Sequence, residues 1–346
     1  MTPNGPIAGA RPTPASATPA AGAPSTVARA RAARAPDFFI VGQPKSGTTA
    51  LNEMLRGHPQ IYMPERKEPW FLADELHERT PPRPGGTART LEEYLSLFEL
   101  ATPEQRIGEA SPMYLWSKTA AGRIAELRPD ARIIAILREP ASLLRSLHLQ
   151  LVETHVETEN DLRTALSLEG ARREGRHVPR HTYWPKALMY SEHVRYVEQL
   201  RRFADLFPRE RMLVLIYDDF RRDNQACVRS VLRFVGVDDA GEIEPIELNP
   251  TVRVRSQRLN DLVHSVTVGR GPAFRALKGA IKALTPRGLR RSALHATQRN
   301  VVYGTPQPPD EALMAELRHR YKSEVLALSE YLDRDLVTLW GHDRVG

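Results

Sequence analysis

The sequence predicts an α/β fold of three layers, in which a mostly parallel central sheet is covered by helices on both faces. Apolar runs of strand length alternate along the chain with segments of helical periodicity, which is typical of such sheets. The chain has 346 residues, 41% hydrophobic and 26% charged, like an ordinary soluble globular protein. We expect one domain over 36–346 after an Ala/Pro-rich leader over 1–35, which is too poor in large apolar residues to fold.

The first predicted strand, Phe38–Val41, leads into a loop that is suited to binding an anion. A helix is predicted from about 46 to 56, and Lys45 lies between the strand and this helix. A strand, a glycine-containing loop and a helix N-terminus can hold a phosphate group, because the first N–H groups of a helix have no partner within it. The pattern is P-loop-like, except that Lys45 precedes Gly47 and Thr48 occupies the position of the usual lysine.

The remaining elements continue the alternation of strands and helices. The predicted strands are near 61–63, from about 107, over 131–137 and over 212–217. The predicted helices cover 90–98, 119–127, about 141 to 148 and beyond, 187–207, about 218–234 and 309–332.

Charge and cysteine content narrow the range of functions. The net charge of +7 favours a polyanionic ligand, although solvated surface arginines would account for it equally well. The single cysteine, Cys227, excludes an intramolecular disulfide and a cysteine metal cluster. No apolar run is long enough for a membrane span and no signal-peptide pattern opens the chain, so we expect a cytoplasmic protein.

Three separated motifs resemble the sulfotransferases that use 3′-phosphoadenosine 5′-phosphosulfate as the sulfuryl donor. Residues 44–49 are similar to that family's 5′-phosphosulfate loop, and 136–140 with Ser146 are similar to its 3′-phosphate site. Residues 67–71 are similar to a segment of the heparan-type carbohydrate branch, so the chain is closest to that branch and to bacterial sulfotransferases. The resemblance covers roughly 37–240.

The resemblance implies a set of site residues and a donor. The residues implied to bind the donor nucleotide are Lys45, Ser46, Gly47, Thr48 and Thr49 on the 5′ side, Arg138 and Ser146 at the 3′-phosphate, and Tyr190 at the adenine. Core packing is the alternative for Tyr190, which lies on an apolar helix face. No metal is expected to be required. The basic segment over about 250–305 is predicted to be variable and to lie on the acceptor side.

The charged side chains of these motifs suit sulfuryl transfer. Lys45 can neutralise the charge that develops on a departing phosphate. Arg138 ends a buried strand, where an unpaired guanidinium would be costly, and its planar fork suits a phosphate. An ion pair with Glu139 or with another carboxylate is the alternative for Arg138.

Glu68 is the predicted general base that removes the proton of the acceptor hydroxyl. Glu65 and His148 are the competing candidates. The family's cytosolic small-molecule branch uses a histidine and its carbohydrate branch a glutamate, and the Lys-Glu-Pro context at 67–69 favours the glutamate. A solvated turn carboxylate is the alternative interpretation of Glu68.

The predicted partner is a hydroxyl-bearing small molecule or glycan, and Trp70 is a residue type that stacks on sugar faces. Nucleic acid is not an expected partner, because no aromatic-basic recognition motif accompanies the positive charge. The alternatives are a P-loop kinase or NTPase, and a non-catalytic basic protein that binds nucleotide or nucleic acid. The sequence carries no readable signature of the acceptor or of the oligomeric state.

Overall fold

A computed structural model describes residues 35–76, 88–180, 182, 184–241, 243–244, 253–254, 303–304 and 308–345. The predicted leader lies outside the described residues, except for its last residue. So does nearly all of the predicted acceptor-side segment over 250–305. The two described parts of that segment, Arg253–Val254 and Tyr303–Gly304, pair as short antiparallel strands.

Five strands form one parallel sheet, which confirms the predicted fold class. They are β1 (Phe38–Gly42), β2 (Ile61–Tyr62), β3 (Arg106–Ala110), β4 (Arg132–Leu137) and β5 (Met212–Ile216), in the spatial order β2-β3-β1-β4-β5. Ile40 of β1 lies beside Ala110 of β3 on one side and Ile134 of β4 on the other. The carboxyl ends of these three strands therefore meet at one edge of the sheet, where open parallel sheets bind ligands.

Helices cover both faces of the sheet. They are α1 (Thr48–Arg56), α2 (Leu91–Leu95), α3 (Ala120–Leu127), α4 (Pro140–Glu153), α5 (Leu162–Ser167), α6 (Glu169–Arg173), α7 (Tyr196–Ala204), α8 (Tyr217–Arg222), α9 (Asn224–Val235), α10 (Glu311–Arg320), α11 (Lys322–Leu332) and α12 (Leu336–Leu339). None of the helices in the described ranges has the length and apolar character needed to cross a bilayer.

Two hydrophobic cores lie on opposite faces of the sheet, because successive side chains of a strand alternate between its faces. Phe39 and Val41 of β1 join the core that also contains helices α3, α4, α7 and α10. Phe38 and Ile40 join the second core, with α1 and α9. An unbroken apolar run in a strand is explained by this burial on both sides.

The predicted continuous helix over 187–207 is wrong in its first half. Short 3₁₀ turns occupy Pro185–Leu188 and Tyr190–Val194, and the α-helix begins only at Tyr196. The Gln43 side chain donates to the backbone carbonyl of His193, and this long-range bond satisfies an acceptor that a continuous helix would have used. The apolar periodicity that suggested a helix reflects burial of the segment and not its backbone conformation.

A buried ion pair between Arg172 and Glu157 stabilises the segment that follows α4. Arg172 donates to both carboxylate oxygens of Glu157, at 2.6 and 2.8 Å, and both side chains are at most 1% exposed. Tyr190 also donates its hydroxyl proton to this carboxylate at 3.1 Å. The pair is bidentate and extensively hydrogen-bonded, which is how a buried ion pair offsets its desolvation.

Replacing Glu157 by alanine is expected to lower the free energy of unfolding by about 3–5 kcal/mol, because the Arg172 guanidinium would be left buried without its counter-charge. The denaturant midpoint of the purified variant measures this. Glu198→Ala is the matched control, since Glu198 forms exposed pairs with Arg195 and Arg202, and about 0–1 kcal/mol is expected there. Equal losses in the two variants would contradict a special role for the buried pair.

Candidate active site

A cavity of about 150 Å³ lies at the carboxyl edge of the sheet, where the three central strands end. It is formed by the loop after β1, the turn after β2, the start of α4 and the start of α8. Its lining residues are Pro44, Lys45, Gly47, Thr48, Thr49, Ala50, Glu68, Pro112, Arg138, Ser146, Gln150 and Tyr217. The structure thus brings together seven of the nine side chains or glycines predicted from the sequence. The exceptions are Ser46 and Tyr190.

The loop after β1 is shaped by two left-handed backbone positions and by close packing. Lys45 has φ 63° and Gly47 has φ 87°. A Cβ atom at Gly47 would lie 3.1 Å from the Phe220 ring and 3.3 Å from the Tyr217 ring, so glycine is required there for both space and conformation. Gly47 also caps α1 without a side-chain hydrogen bond, which leaves the first turn of this helix suited to an anion.

The buried Ser46 side chain lies behind the loop and is not among the residues that line the cavity. Its predicted contact with the nucleotide is therefore limited to its backbone. Thr48 is buried and Thr49 exposed, and both line the cavity at the start of α1.

Lys45 is a half-buried ammonium in a site of mixed charge. Burial lowers its pKa below the ordinary lysine value, and the charges of Arg138 and Lys67 lower it further. The carboxylates of Glu153 and Glu68 act in the opposite direction. A partly desolvated cation interacts more strongly with an anion than a lysine on an open surface does.

Arg138, directly after β4, helps to hold the same loop. Its guanidinium donates to the backbone carbonyl of Lys45 at 2.8 Å and lies 4.7 Å from the centre of the Tyr217 ring. Tyr196 donates its hydroxyl proton to the Arg138 carbonyl at 2.7 Å. These contacts hold a cation in the lining of the cavity.

The alternative of an Arg138–Glu139 ion pair is not what the structure contains. The Glu139 carboxylate accepts from the backbone N–H groups of Ala141 and Ser142, so it caps the N-terminus of α4. Burial opposes its ionisation, but the adjacent His342 ring and the hydrogen bonds of the α4 cap outweigh that effect and lower its pKa. The buried His342 ring lies 3.4 Å from this carboxylate, so the C-terminal part of the chain supports the start of α4.

Replacing Arg138 by alanine is expected to weaken binding of a 3′-phosphorylated nucleotide about 10- to 100-fold, since a charge-assisted hydrogen bond contributes about 1.5–3 kcal/mol. Titration calorimetry with 3′-phosphoadenosine 5′-phosphate measures the change. Arg132→Ala is the matched control, because Arg132 begins the same strand at the opposite edge of the sheet. An unchanged affinity in the Arg138 variant would contradict a phosphate-binding role.

Glu68 lies in the turn after β2 and reaches the cavity from the side of β3. Its backbone N–H donates to the Ala110 carbonyl at 3.1 Å, and its carboxylate accepts from the Lys67 ammonium at 2.6 Å. It has φ 60°, an uncommon conformation for a residue other than glycine. Its side chain is about one third exposed, so it is neither a fully solvated turn carboxylate nor a core residue.

The two competing base candidates lie elsewhere. Glu65 is exposed and does not line the cavity. His148 is buried on α4, where Nδ1 bonds to the Tyr190 hydroxyl at 2.9 Å and Nε2 to the Asn160 carbonyl at 3.2 Å. Burial lowers the pKa of His148, although neighbouring carboxylates oppose this shift. Only Glu68 of the three candidates lines the cavity.

Tyr190 and Trp70 are both placed differently from the positions that the sequence suggests. Tyr190 is fully buried between His148 and Glu157, which matches the core-packing alternative and places it away from the cavity lining. Trp70 is 5% exposed and its ring centre lies 6.1 Å from that of Trp184. Its faces are therefore occupied by protein and cannot serve as an open platform for a sugar.

Sequence reasoning missed two polar side chains that line the cavity, Gln150 and Tyr217. Gln150 lies four residues beyond Ser146 on α4, so the helical repeat places both on one face. Tyr217 directly follows β5 at the carboxyl edge of the sheet. Both positions could have been found by extending the predicted strand ends and helix face, whereas the contact between Tyr217 and Arg138 requires the tertiary structure.

Comparison with known proteins matches residues 35–258 to the family model described as a sulfotransferase domain. Human carbohydrate sulfotransferase 15 is 31% identical over a match that covers 35% of this chain and 28% of that protein. Mouse heparan sulfate glucosamine 3-O-sulfotransferase 5 is 29% identical, with 34% of this chain and 31% of that protein covered. The matches thus span less than a third of the length of these curated relatives.

A solved structure extends the likeness over most of the fold. The sulfotransferase from Alicyclobacillus acidocaldarius is 30% identical in sequence and superposes with a TM-score of 0.54. The superposition covers 70% of this chain and 99% of that one.

Proposed function

The chain belongs to the sulfotransferase family, and we propose that it transfers a sulfuryl group from 3′-phosphoadenosine 5′-phosphosulfate to a hydroxyl of a carbohydrate, glycolipid or natural product. One observation carries the proposal: two cations, Lys45 and Arg138, and one carboxylate, Glu68, line the same cavity beside the start of α1. This set combines sites for two anionic groups with a base. Transfer without a metal is part of the proposal.

The residues present fit this donor, which supplies the sulfuryl group, a phosphate leaving group and a second phosphate at the 3′ position. The first turn of α1 and Lys45 provide donors for the 5′ side. Arg138 and the buried Ser146 provide a separate pair of polar groups on α4 and at its start. ATP lacks a 3′-phosphate, so a second cationic position of this kind favours the 3′-phosphorylated nucleotide.

Glu68 and Lys45 have complementary tasks in an in-line displacement. The Glu68 carboxylate takes the proton of the acceptor hydroxyl, and the acceptor oxygen forms the new bond to sulfur as the bond between sulfur and the 5′-phosphate oxygen breaks. The Lys45 ammonium stabilises the negative charge that develops on that phosphate oxygen. The Lys67 ammonium donates to the Glu68 carboxylate at 2.6 Å, which fixes the position of the proposed base.

The proposed acceptor class is supported by the names of the relatives, which are sulfotransferases of carbohydrates and of heparan sulfate glucosamine. Trp70 is only 5% exposed, so no acceptor contact is assigned to it. The single-domain organisation and the cytoplasmic location stay predictions from the sequence.

A transfer assay with labelled donor over a panel of hydroxyl acceptors tests the proposal, together with calorimetric titration of 3′-phosphoadenosine 5′-phosphate. Binding of this nucleotide, with weaker binding of ADP, and transfer to at least one acceptor are expected. ATP with magnesium is the control ligand for the kinase or NTPase alternative. Absence of binding by the 3′-phosphorylated nucleotide, or a stabilisation by magnesium-ATP alone, would overturn the proposal.

A further inference from the structure

Tyr217 is the residue against which the Arg138 guanidinium lies. Leu137 of β4 and Ile216 of β5 are partners in the sheet, so the two strands end side by side. Arg138 and Tyr217 each follow directly, and the guanidinium lies 4.7 Å from the centre of the Tyr217 ring. A cation at this distance is attracted by the face of the ring, so a displaced ring would hold it less well. The orientation of Arg138 therefore depends on the start of α8.

The start of α8 has no side-chain cap of its own. The helix is six residues long, and its N-cap residue, Ile216, has no side-chain hydrogen bond to the first turn. A helix this short is not stable without contacts outside itself. Phe220 supplies one such contact, since it is 0% exposed and belongs to the second core. The first turn, which carries Tyr217, is held from another direction in the sequence.

The C-terminal part of the chain supplies two contacts to the first turn of α8. The Trp340 indole Nε1–H donates to Asp218 Oδ2 at 2.9 Å, and Arg334 forms an ion pair with Asp219 at 2.5 Å. Trp340 is 5% exposed, so without this acceptor its N–H would be buried with its hydrogen bond lost. The Arg334 side chain is 38% exposed, and an ion pair so open to solvent contributes little. The hydrogen bond from Trp340 is therefore the stronger of the two contacts.

The same C-terminal segment also reaches the start of α4. His342, two residues after Trp340, is 0% exposed, and its Nε2 lies 3.4 Å from the Glu139 carboxylate. Its Nδ1 lies 3.0 Å from the backbone carbonyl of Arg318 on α10. Glu139 directly follows Arg138 and caps α4. The segment thus joins the helix that Arg138 precedes to the helix against which its guanidinium lies.

We propose that Trp340 is a positioning residue for the Arg138 phosphate site. Its indole N–H holds Asp218, and Asp218 keeps the adjacent Tyr217 ring against the guanidinium. The inference rests on the proposed role of Arg138 in binding the 3′-phosphate. Trp340 acts through α8, since it does not itself line the cavity. Loss of its hydrogen bond should affect the 3′-phosphate and spare the 5′-phosphate, whose proposed contacts come from Lys45 and the first turn of α1.

The test compares binding of 3′-phosphoadenosine 5′-phosphate with binding of adenosine 5′-phosphate, which lacks only the 3′-phosphate. Trp340→Phe removes the indole N–H and keeps an aromatic ring. In titration calorimetry it should bind the 3′-phosphorylated nucleotide about threefold to tenfold more weakly than the wild type does. Its affinity for adenosine 5′-phosphate should stay within about twofold, because those contacts are separate. A merely structural defect would weaken binding of both nucleotides alike.

Substitutions of Asp218 keep the inference testable if Trp340→Phe does not fold. Asp218→Ala removes the acceptor and should reproduce the effect of Trp340→Phe, whereas Asp218→Asn keeps an acceptor oxygen and should retain the wild-type affinity. Trp116→Phe is the matched control. Trp116 is 7% exposed, packs against His193 with 5.8 Å between the ring centres, and does not line the cavity. Its preference between the two nucleotides should equal that of the wild type.

A double-mutant cycle with Arg138→Ala identifies the group through which Trp340 acts. Once the guanidinium is absent, Trp340→Phe should cause no further loss of affinity for 3′-phosphoadenosine 5′-phosphate, because both changes act on one contact. An equal effect of Trp340→Phe with and without the guanidinium would overturn the inference. Unchanged affinity in both Trp340→Phe and Asp218→Ala would also overturn it, as would an equal loss for the two nucleotides.

The same measurements separate this inference from the proposed function. A wild type that prefers the 3′-phosphorylated nucleotide but transfers no sulfuryl group would refute the function, and the variants would still decide the role of Trp340. A wild type without that preference would overturn both, since Arg138 would then hold no 3′-phosphate. Sulfuryl transfer by the wild type, with an unchanged nucleotide preference in the variants, would overturn the inference alone.

Discussion

Replacing Lys45 by alanine is expected to lower kcat about 100- to 1,000-fold, the range found when a group that stabilises developing charge is removed. The ammonium is half-buried in the cavity. Partial removal from water strengthens its attraction to the negative charge on the departing phosphate. Arg138 and the first turn of α1 remain in the variant, so the affinity for 3′-phosphoadenosine 5′-phosphate should fall only about tenfold. Steady-state kinetics at saturating donor and calorimetry measure the two effects separately.

Lys118→Ala is the matched control for this prediction, because Lys118 is exposed and does not line the cavity. Its kcat should match that of the wild type. A Lys45→Ala variant whose nucleotide affinity falls as steeply as its kcat would show that Lys45 binds the nucleotide in the ground state and has no special role in the transition state.

Replacing Glu68 by glutamine is expected to lower kcat about 100- to 10,000-fold, since the isosteric amide cannot take the proton of the acceptor hydroxyl. Nucleotide affinity should change little, because the proposed phosphate contacts come from Lys45, Arg138 and the first turn of α1. The variant also removes the negative charge 2.6 Å from the half-buried Lys67 ammonium, so its thermal stability is measured in parallel. An intact melting transition with lost turnover isolates the chemical role.

Glu65→Gln is the matched control, since it makes the same substitution three residues earlier on an exposed side chain. Wild-type turnover is expected from it. Full activity in Glu68→Gln, with reduced activity in Glu65→Gln, would transfer the role of base to Glu65.

Much of the fold could be predicted because its strands are marked by unbroken apolar runs. Runs such as 38–41 and 133–137 are buried on both faces, and burial of this kind requires consecutive apolar residues. The segment over 187–207 shows the limit of that reasoning. The apolar spacing of this segment indicates which residues are buried. The His193 carbonyl, however, accepts a hydrogen bond from Gln43, 150 positions earlier, in place of a helical N–H group. A contact of that range has no signal in local periodicity.

The candidate site shows the same division. Lys45, Gly47, Arg138 and Ser146 could be predicted because each occupies a fixed offset from the end of a strand, and strand ends of a parallel sheet share an edge. The choice among Glu65, Glu68 and His148 could not be made in this way. The resemblance at 67–69 favoured Glu68, but all three are chemically able to accept a proton, and their positions relative to the cavity are what separates them.

The sequence by itself thus determined the parallel sheet, the family and the phosphate-binding loop with its displaced lysine, since these depend on residue type and short spacing. The tertiary structure decided that Glu139 caps α4 instead of pairing with Arg138, and that Tyr190 and Trp70 belong to the core. The physical reason is that burial and hydrogen-bond direction depend on groups far apart in the chain. Those groups meet only when the sheet edge and its covering helices have assembled.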